Sequence, residues 1–141
     1  MKSNKFWIAV LVGGVVANIL DFLVQGMWLE AAYYSKMPDL FNMGTNVAYY
    51  IIGDFVFVFV LAWVYDKVAS SFVNGSKGGM TFGLYAGVLL NFPMWIFIHL
   101  MIKNFPYGLA WINIIYGIIW TIVIGTVLGG FLKKTEAAPA A

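Results

Sequence analysis

The stretch VAYYIIGDFVFVFVLAWVY, residues 47–65, decides the fold of this chain. Asp54 is its single carboxylic acid, and its neighbours are almost all aromatic or aliphatic. A helix rises 1.5 Å per residue, so a helix of this length crosses most of the roughly 30 Å hydrocarbon core of a bilayer. The stretch therefore predicts a transmembrane helix with a carboxyl group near its middle.

Three further apolar stretches have the same character. The chain has 141 residues, of which 62% are hydrophobic and 10% are charged, a composition far outside the range of soluble globular domains. We expect an all-α fold, an integral membrane four-helix bundle that forms a single transmembrane domain over residues 1–141. The predicted spans are about Phe6–Leu29, Val47–Tyr65, Met80–Ile102 and Leu109–Leu132.

The lysines predict the orientation in the membrane. Six flank the spans on one side and two on the other, and cytoplasmic loops carry the excess of positive charge. Both termini are therefore expected in the cytoplasm, and the lysine-only flanks suit a bacterial inner membrane. The first group is Lys2, Lys5, Lys67, Lys77, Lys133 and Lys134, and the second is Lys36 and Lys103.

Several function classes are excluded by composition. The chain has no cysteine, no arginine and one histidine, so it offers no disulfide, no thiolate ligand and no histidine-rich metal site. A net charge of +2 is too small to indicate nucleic-acid binding. No catalytic triad, zinc-protease motif or phosphate-binding loop is present. We expect no enzymatic activity, no metal and no cofactor.

The two halves of the chain resemble each other. Gly14-Val-Val-Ala-Asn18 in the first span is similar to Gly87-Val-Leu-Leu-Asn91 in the third. These matches predict two parallel helical-hairpin repeats, over about 6–67 and 80–134, although chance similarity between apolar segments is the alternative. In the second and fourth spans the matched residues are Asn46, Tyr49, Ile51, Ile52, Leu61 and Lys67 with Asn113, Tyr116, Ile118, Ile119, Leu128 and Lys134.

Two aspartates inside the spans are the most informative polar residues. A charged side chain at the centre of a membrane helix costs about 2.5–3.5 kcal/mol on insertion scales, so such residues usually face a partner, a cavity or a pathway. Asn18, Asp21 and Gln25 share one face of the first span at helical spacing. The predicted polar core, an ion or proton site, consists of Asp21, Asp54, Asn18, Gln25, Asn91 and Asn113.

A structural role competes with this interpretation. Amide side chains between membrane helices commonly act as hydrogen-bonding glue, worth about 0.6 kcal/mol on average, and this is the favoured role for the three asparagines. The aspartates are different, because an amide side chain makes interhelical hydrogen bonds without the free-energy cost of placing a charge in the membrane. For them we weigh an ion or proton site, a charge contact with another subunit, and a buried structural donor.

His99 lies near the end of the third span. A histidine there is usually an amphipathic residue at the headgroup level, which is the favoured interpretation. Axial ligation of haem or chlorophyll is the alternative, and a haem would need a second ligand such as Met94, Met101 or a residue of a partner chain, because the chain has a single histidine.

Small residues recur at four-residue spacing in the spans. Such stripes let helix backbones approach closely, either within the chain or against another chain. The predicted packing positions are Gly79, Gly83, Gly87, Gly125 and Gly129.

Three functions follow, and the first is preferred. The chain acts by association, either as an accessory subunit of a membrane complex or as a homo-oligomer, with the lipid bilayer and other membrane chains as partners. Alternatively it is a small proton- or cation-coupled transporter or channel that uses Asp21 and Asp54, or a haem or chlorophyll holder through His99. Four-span multidrug exporters are similar in size and carry an acidic residue in their first span.

One stretch of the first span carries a family resemblance. Asp21-Phe-Leu-Val-Gln-Gly26, followed by Trp28-Leu29 and Tyr33-Tyr34, resembles small four-span bacterial inner-membrane proteins of uncharacterised activity. The resemblance implies the four-span fold and no particular activity.

Overall fold

The computed structural model describes residues 3–42 and 44–132, which form helices joined by turns, with no strand among them. Four helices are long and apolar enough to cross a membrane, which confirms the predicted fold class at this level. Helix α1 is Asn4–Asp21, α2 is Val47–Val68, α3 is Ser76–Met101 and α4 is Tyr107–Phe131.

The helix beginnings follow from local chemistry. The Ser3 hydroxyl accepts a hydrogen bond from the Phe6 amide at 3.4 Å, and the Asn46 side chain accepts one from the Ala48 amide at 2.9 Å. Both residues are favoured caps because a short polar side chain satisfies an amide that has no partner inside the helix. Gly75 precedes α3 with φ of 87°, a left-handed conformation that glycine adopts without strain.

Immediately after Asp21, α1 widens into a π-helical segment, Phe22–Leu29, before a last turn at Glu30–Ala32. A π turn holds more residues than an α turn. Side chains beyond Asp21 therefore point in directions that a 3.6-residue period does not predict. Gln25 lies in this segment, and π-helical segments are frequent at functional sites.

The bundle is built around α1 and α4. Helix α4 packs against both α1 and α3, and α1 also packs against α2. Buried side chains form one cluster at the end where α1 begins, and a smaller cluster at the opposite end around Leu29 and Leu109. Helices α2 and α3 meet in the first cluster, where the Tyr65 and Phe82 rings lie 5.0 Å apart.

The predicted glycine stripes lie inside the chain, between α3 and α4. A Cβ atom added to Gly79 would lie 2.8 Å from the Gly129 Cα, and one added to Gly125 would lie 2.9 Å from the Gly83 Cα. Contacts this short are possible only for glycine, so the two backbones touch along their length. The stripes therefore build the α3–α4 pair within one chain.

Candidate functional site

A cavity of about 280 Å³ lies between the two buried clusters, and all four helices line it. Helices α2 and α3 contact each other near Tyr65 and Phe82. At the cavity they contribute the lining residues Gly53 and Met94 respectively. Five of the six residues predicted as a polar core line the cavity, and Asn18 does not. The polar residues that line it are Asp21, Gln25, Asp54, Asn91, Asn113, Tyr116 and Thr121.

The two aspartates meet in this cavity although they belong to different helices. The Tyr116 hydroxyl on α4 donates a hydrogen bond to Asp21 Oδ1. The Asp54 carboxyl on α2 lies within hydrogen-bonding reach of the Asp21 carboxyl. A hydrogen bond between two carboxyl groups requires a proton on one of them, because an ionised carboxylate only accepts. A hydrogen bond between Asp21 and Asp54 therefore requires that one of the two carboxyl groups is protonated.

An amide network closes the cavity on the side of the Leu29 cluster. Gln25 Nε2 donates to Asn113 Oδ1 at 3.0 Å, Asn113 Nδ2 donates to the Leu109 carbonyl at 3.0 Å, and the Tyr34 hydroxyl donates to Gln25 Oε1. Asn113 is 1% exposed. The Gln25–Asn113 bond joins the π-helical continuation of α1 to α4, which is the kind of interhelical contact that the glue interpretation of Asn113 predicts.

Asn18 and Asn91 make the same bond on different helices. Asn18 Nδ2 donates to the Gly14 carbonyl at 2.9 Å, and Asn91 Nδ2 donates to the Gly87 carbonyl at 3.0 Å. Asn91 also lies against Gly117, where an added Cβ would come 2.8 Å from Asn91 Nδ2. Each bond stays within its own helix. The two asparagines differ in that Asn91 lines the cavity and Asn18 does not.

Three residues of α4 complete the site and were not predicted from the sequence. Tyr116 holds Asp21, and the Thr121 hydroxyl donates to the carbonyls of Gly117 and Ile118, each at 2.9 Å. Trp120 is 7% exposed, and its indole N–H has no acceptor among the described residues. The sequence signal for these residues was weak: Tyr116 matches Tyr49 of the first predicted repeat, and Thr121 lies at the position that matches Asp54.

His99 lies away from this cavity, at the turn between α3 and α4. Its Nδ1 atom is 2.9 Å from the Phe105 carbonyl oxygen, and its ring lies 5.1 Å from that of Tyr107. Met94, one suggested second ligand, lines the cavity instead. Among residues 3–42 and 44–132, no three histidine, aspartate or glutamate side chains group closely enough to hold a metal ion.

Removal of the Tyr116 hydroxyl is expected to weaken the bundle. Tyr116→Phe removes the tyrosine donor to Asp21, and loss of a hydrogen bond to a partly buried carboxyl group costs about 1–3 kcal/mol. Unfolding in detergent, followed by circular dichroism, measures the change. Tyr49→Phe is the control, because Tyr49 is exposed at the start of α2. A loss of the same size for Tyr116→Phe in an Asp21→Ala background would contradict the assignment.

Comparison with known proteins gives no relative from which a function can be transferred. No family model matches this chain, and neither a curated protein nor a solved structure matches it. Its function is therefore argued from the cavity and from the residues that line it.

Proposed function

We propose that this protein is a small membrane transport protein, a transporter or channel, in which Asp21 and Asp54 bind a proton or another cation during passage. The observation that carries the proposal is the convergence of both carboxyl groups in one cavity lined by all four helices. Polar residues placed inside a bundle in this way are typical of ion and proton pathways.

The charge balance of the cavity supports the proposal. No lysine among the described residues lines it, and the hydroxyl of Tyr116 donates a hydrogen bond to Asp21. Asp21 and Asp54 are half-buried. A carboxylate partly removed from water without a positive side chain nearby is costly, so its charge is balanced by a proton or by a bound cation. A cavity that must acquire and release such a cation is suited to transport.

The amide network weakens the purely structural alternative. A hydrogen bond between Gln25 and Asn113 already connects the first span to α4, and α3 packs closely against α4 at the glycines. These contacts already hold the helices together. Inserting each aspartate into a membrane helix costs about 2.5–3.5 kcal/mol, so packing alone does not explain why the bundle contains two of them.

Transport also replaces association as the favoured function. The predicted glycine stripes, for which a partner chain was one of two expected uses, pack α3 against α4 inside the chain. Association with other membrane chains stays the alternative prediction. With both termini in the cytoplasm of a bacterial inner membrane, as the lysines predict, the cavity lies in the outer half of the membrane.

Ion flux into proteoliposomes tests this function. Proton and sodium gradients are imposed in turn, and an encapsulated dye reports entry. We expect flux through the wild type at least about tenfold above empty liposomes, and background flux for Asp21→Asn and for Asp54→Asn, because an amide cannot exchange a proton or neutralise a cation. Asp39→Asn, the same change in the exposed α1–α2 loop, keeps wild-type flux.

Two outcomes would refute the proposal. One is wild-type flux at the level of empty liposomes for both ions. The other is flux that survives both aspartate substitutions in protein that is folded and inserted to the same extent as the wild type.

A further inference from the structure

The two carboxyl groups of the cavity have different surroundings. Asp21 accepts a hydrogen bond from the Tyr116 hydroxyl, whose single hydrogen is used in that bond. For Asp54, the neighbouring side chain within hydrogen-bonding reach is Asp21 itself. Hydrogen bonds to an ionised acceptor are about twice as strong as those between neutral groups. Of the two carboxyl groups, Asp21 is therefore the better place for a negative charge.

The contact between the two aspartates then assigns a proton to Asp54. An ionised carboxylate only accepts hydrogen bonds, so an Asp21 carboxylate bonds to Asp54 only when Asp54 carries a hydrogen to donate. With that proton, the two carboxyl groups share one negative charge. Without it, two like charges lie within hydrogen-bonding reach of each other, an arrangement that their mutual repulsion opposes.

No positive side chain of the described residues takes the place of this proton. The other titratable groups around the pair are tyrosines, which carry no positive charge at any pH. Tyr34 and Tyr116 lie close enough to Asp21 to interact electrostatically with it, and Tyr50 lies close to Tyr34. Helix α3 contributes three lining residues without a titratable group, which are Asn91, Met94 and Trp95.

The other oxygen atoms of the cavity are poorly placed to bind a metal ion. A metal cation such as calcium is held by about six to eight oxygen ligands at once. The Gln25 amide oxygen accepts from Tyr34, and the Asn113 amide oxygen accepts from Gln25. The Thr121 hydroxyl donates to two carbonyls of α4. In the described part of the chain, no third acidic or histidine side chain joins the pair. A proton needs only the two carboxyl groups.

We propose that the cation of this site is a proton, held by Asp54 and donated to an ionised Asp21. This inference rests on the proposed function, since it names the ion that the site takes and the residue that carries it. Asp54 gives its proton to a water, which becomes hydronium, and the carboxylate that forms takes a proton from another hydronium. The cavity of about 280 Å³ has room for several waters, at roughly 30 Å³ each.

The infrared spectrum of the wild type tests the proton directly. A protonated carboxyl group has a carbonyl stretching band that a carboxylate lacks, and carboxyl groups in water are ionised at neutral pH. The protein is purified in a maltoside detergent, which has no carbonyl group, with and without carbon-13 in the aspartate carboxyl groups. We expect a protonated-carboxyl band at neutral pH that moves to lower frequency on labelling. Sodium or potassium chloride in place of choline chloride leaves its intensity unchanged.

Matched variants assign the band to one residue. Asp54→Asn loses it, because Tyr116 and the new amide N–H both donate to Asp21 and keep it ionised. Asp21→Asn keeps the band, because Asp54 can donate to the new amide oxygen. That variant still lacks the carboxylate that attracts an incoming hydronium, so its flux stays at background. Asp39→Asn, in the exposed loop, keeps the band as well. Circular dichroism verifies that each variant has the helix content of the wild type.

The inference is overturned if the wild type has no protonated-aspartate band at neutral pH, or if sodium or potassium removes the band; neither result needs a variant. It is also overturned if the band survives in folded Asp54→Asn or is absent from folded Asp21→Asn. Its failure is separable from that of the proposed function: ion flux that depends on both aspartates in a protein without the band refutes only the proton, whereas a band from Asp54 without flux of either ion refutes only transport.

Discussion

Leucine at Gly83 is expected to separate α3 from α4 and to lower the free energy of unfolding by about 3 kcal/mol. A Cβ atom there would lie 2.9 Å from the Ile122 Cα and would also collide with the Thr121 carbonyl oxygen. Both are backbone atoms, so no side-chain rotation relieves the overlap. The two helices must move apart, and they lose the contacts that Gly79 and Gly125 make along the same seam.

Gly108→Leu is the matched control for this substitution. Gly108 lies in the first turn of α4, and an added Cβ would have no atom within 4 Å. The same change in volume and helix propensity therefore acts without a packing conflict. Circular dichroism during denaturation in detergent compares the two variants. Equal stability of Gly83→Leu and Gly108→Leu would mean that α3 and α4 are not in backbone contact.

The membrane-spanning class was predictable because hydrophobic length is a property of sequence alone. The predicted spans agree with the four helices to within a few residues when the π-helical continuation of α1 to Leu29 is included, as in Val47–Tyr65 against α2, Val47–Val68. The positions of the short segments between spans were also predictable. Asn46 and Gly75 precede helices because of their own side-chain and backbone properties, which do not depend on the rest of the fold. Spacing also indicated a packing role for glycines such as Gly83.

The sequence could not show which helix faces pack against each other. The glycine spacing is the same whether a helix packs against its own chain or another, so the α3–α4 seam needed the structure. The π-helical segment after Asp21 has no proline or other local signal, and it changes the direction in which Gln25 points. Tyr116 and Trp120 look like ordinary apolar-span aromatics until their contacts are known.

The internal duplication stays a prediction. Its best-matched positions, Asn18 and Asn91, donate to the carbonyls of Gly14 and Gly87 in the same way. The acidic residues break the similarity, since Thr121 occupies the position that matches Asp54. The predicted repeats therefore agree best in the packing residues and least in the polar site.

The account depends on one claim, that the carboxyl pair lies in a cavity which water enters and lipid does not. Two adjacent positions of α2 test it. Both are exposed, but Gly53 lines the cavity, with no atom within 4 Å of an added Cβ, whereas Ile52, 59% exposed, is not part of the cavity lining. The chain has no cysteine, so Gly53→Cys and Ile52→Cys each introduce the single thiol.

The decisive measurement is the rate at which a charged methanethiosulfonate reagent labels these two thiols in proteoliposomes, with reagent on both sides. The reagent needs water and reacts with the thiolate, which does not form in hydrocarbon. We predict labelling of Gly53→Cys at least about a hundred times faster than that of Ile52→Cys, although the two positions lie at nearly the same depth. Gly53→Cys as unreactive as Ile52→Cys would contradict a water-filled site around the aspartates.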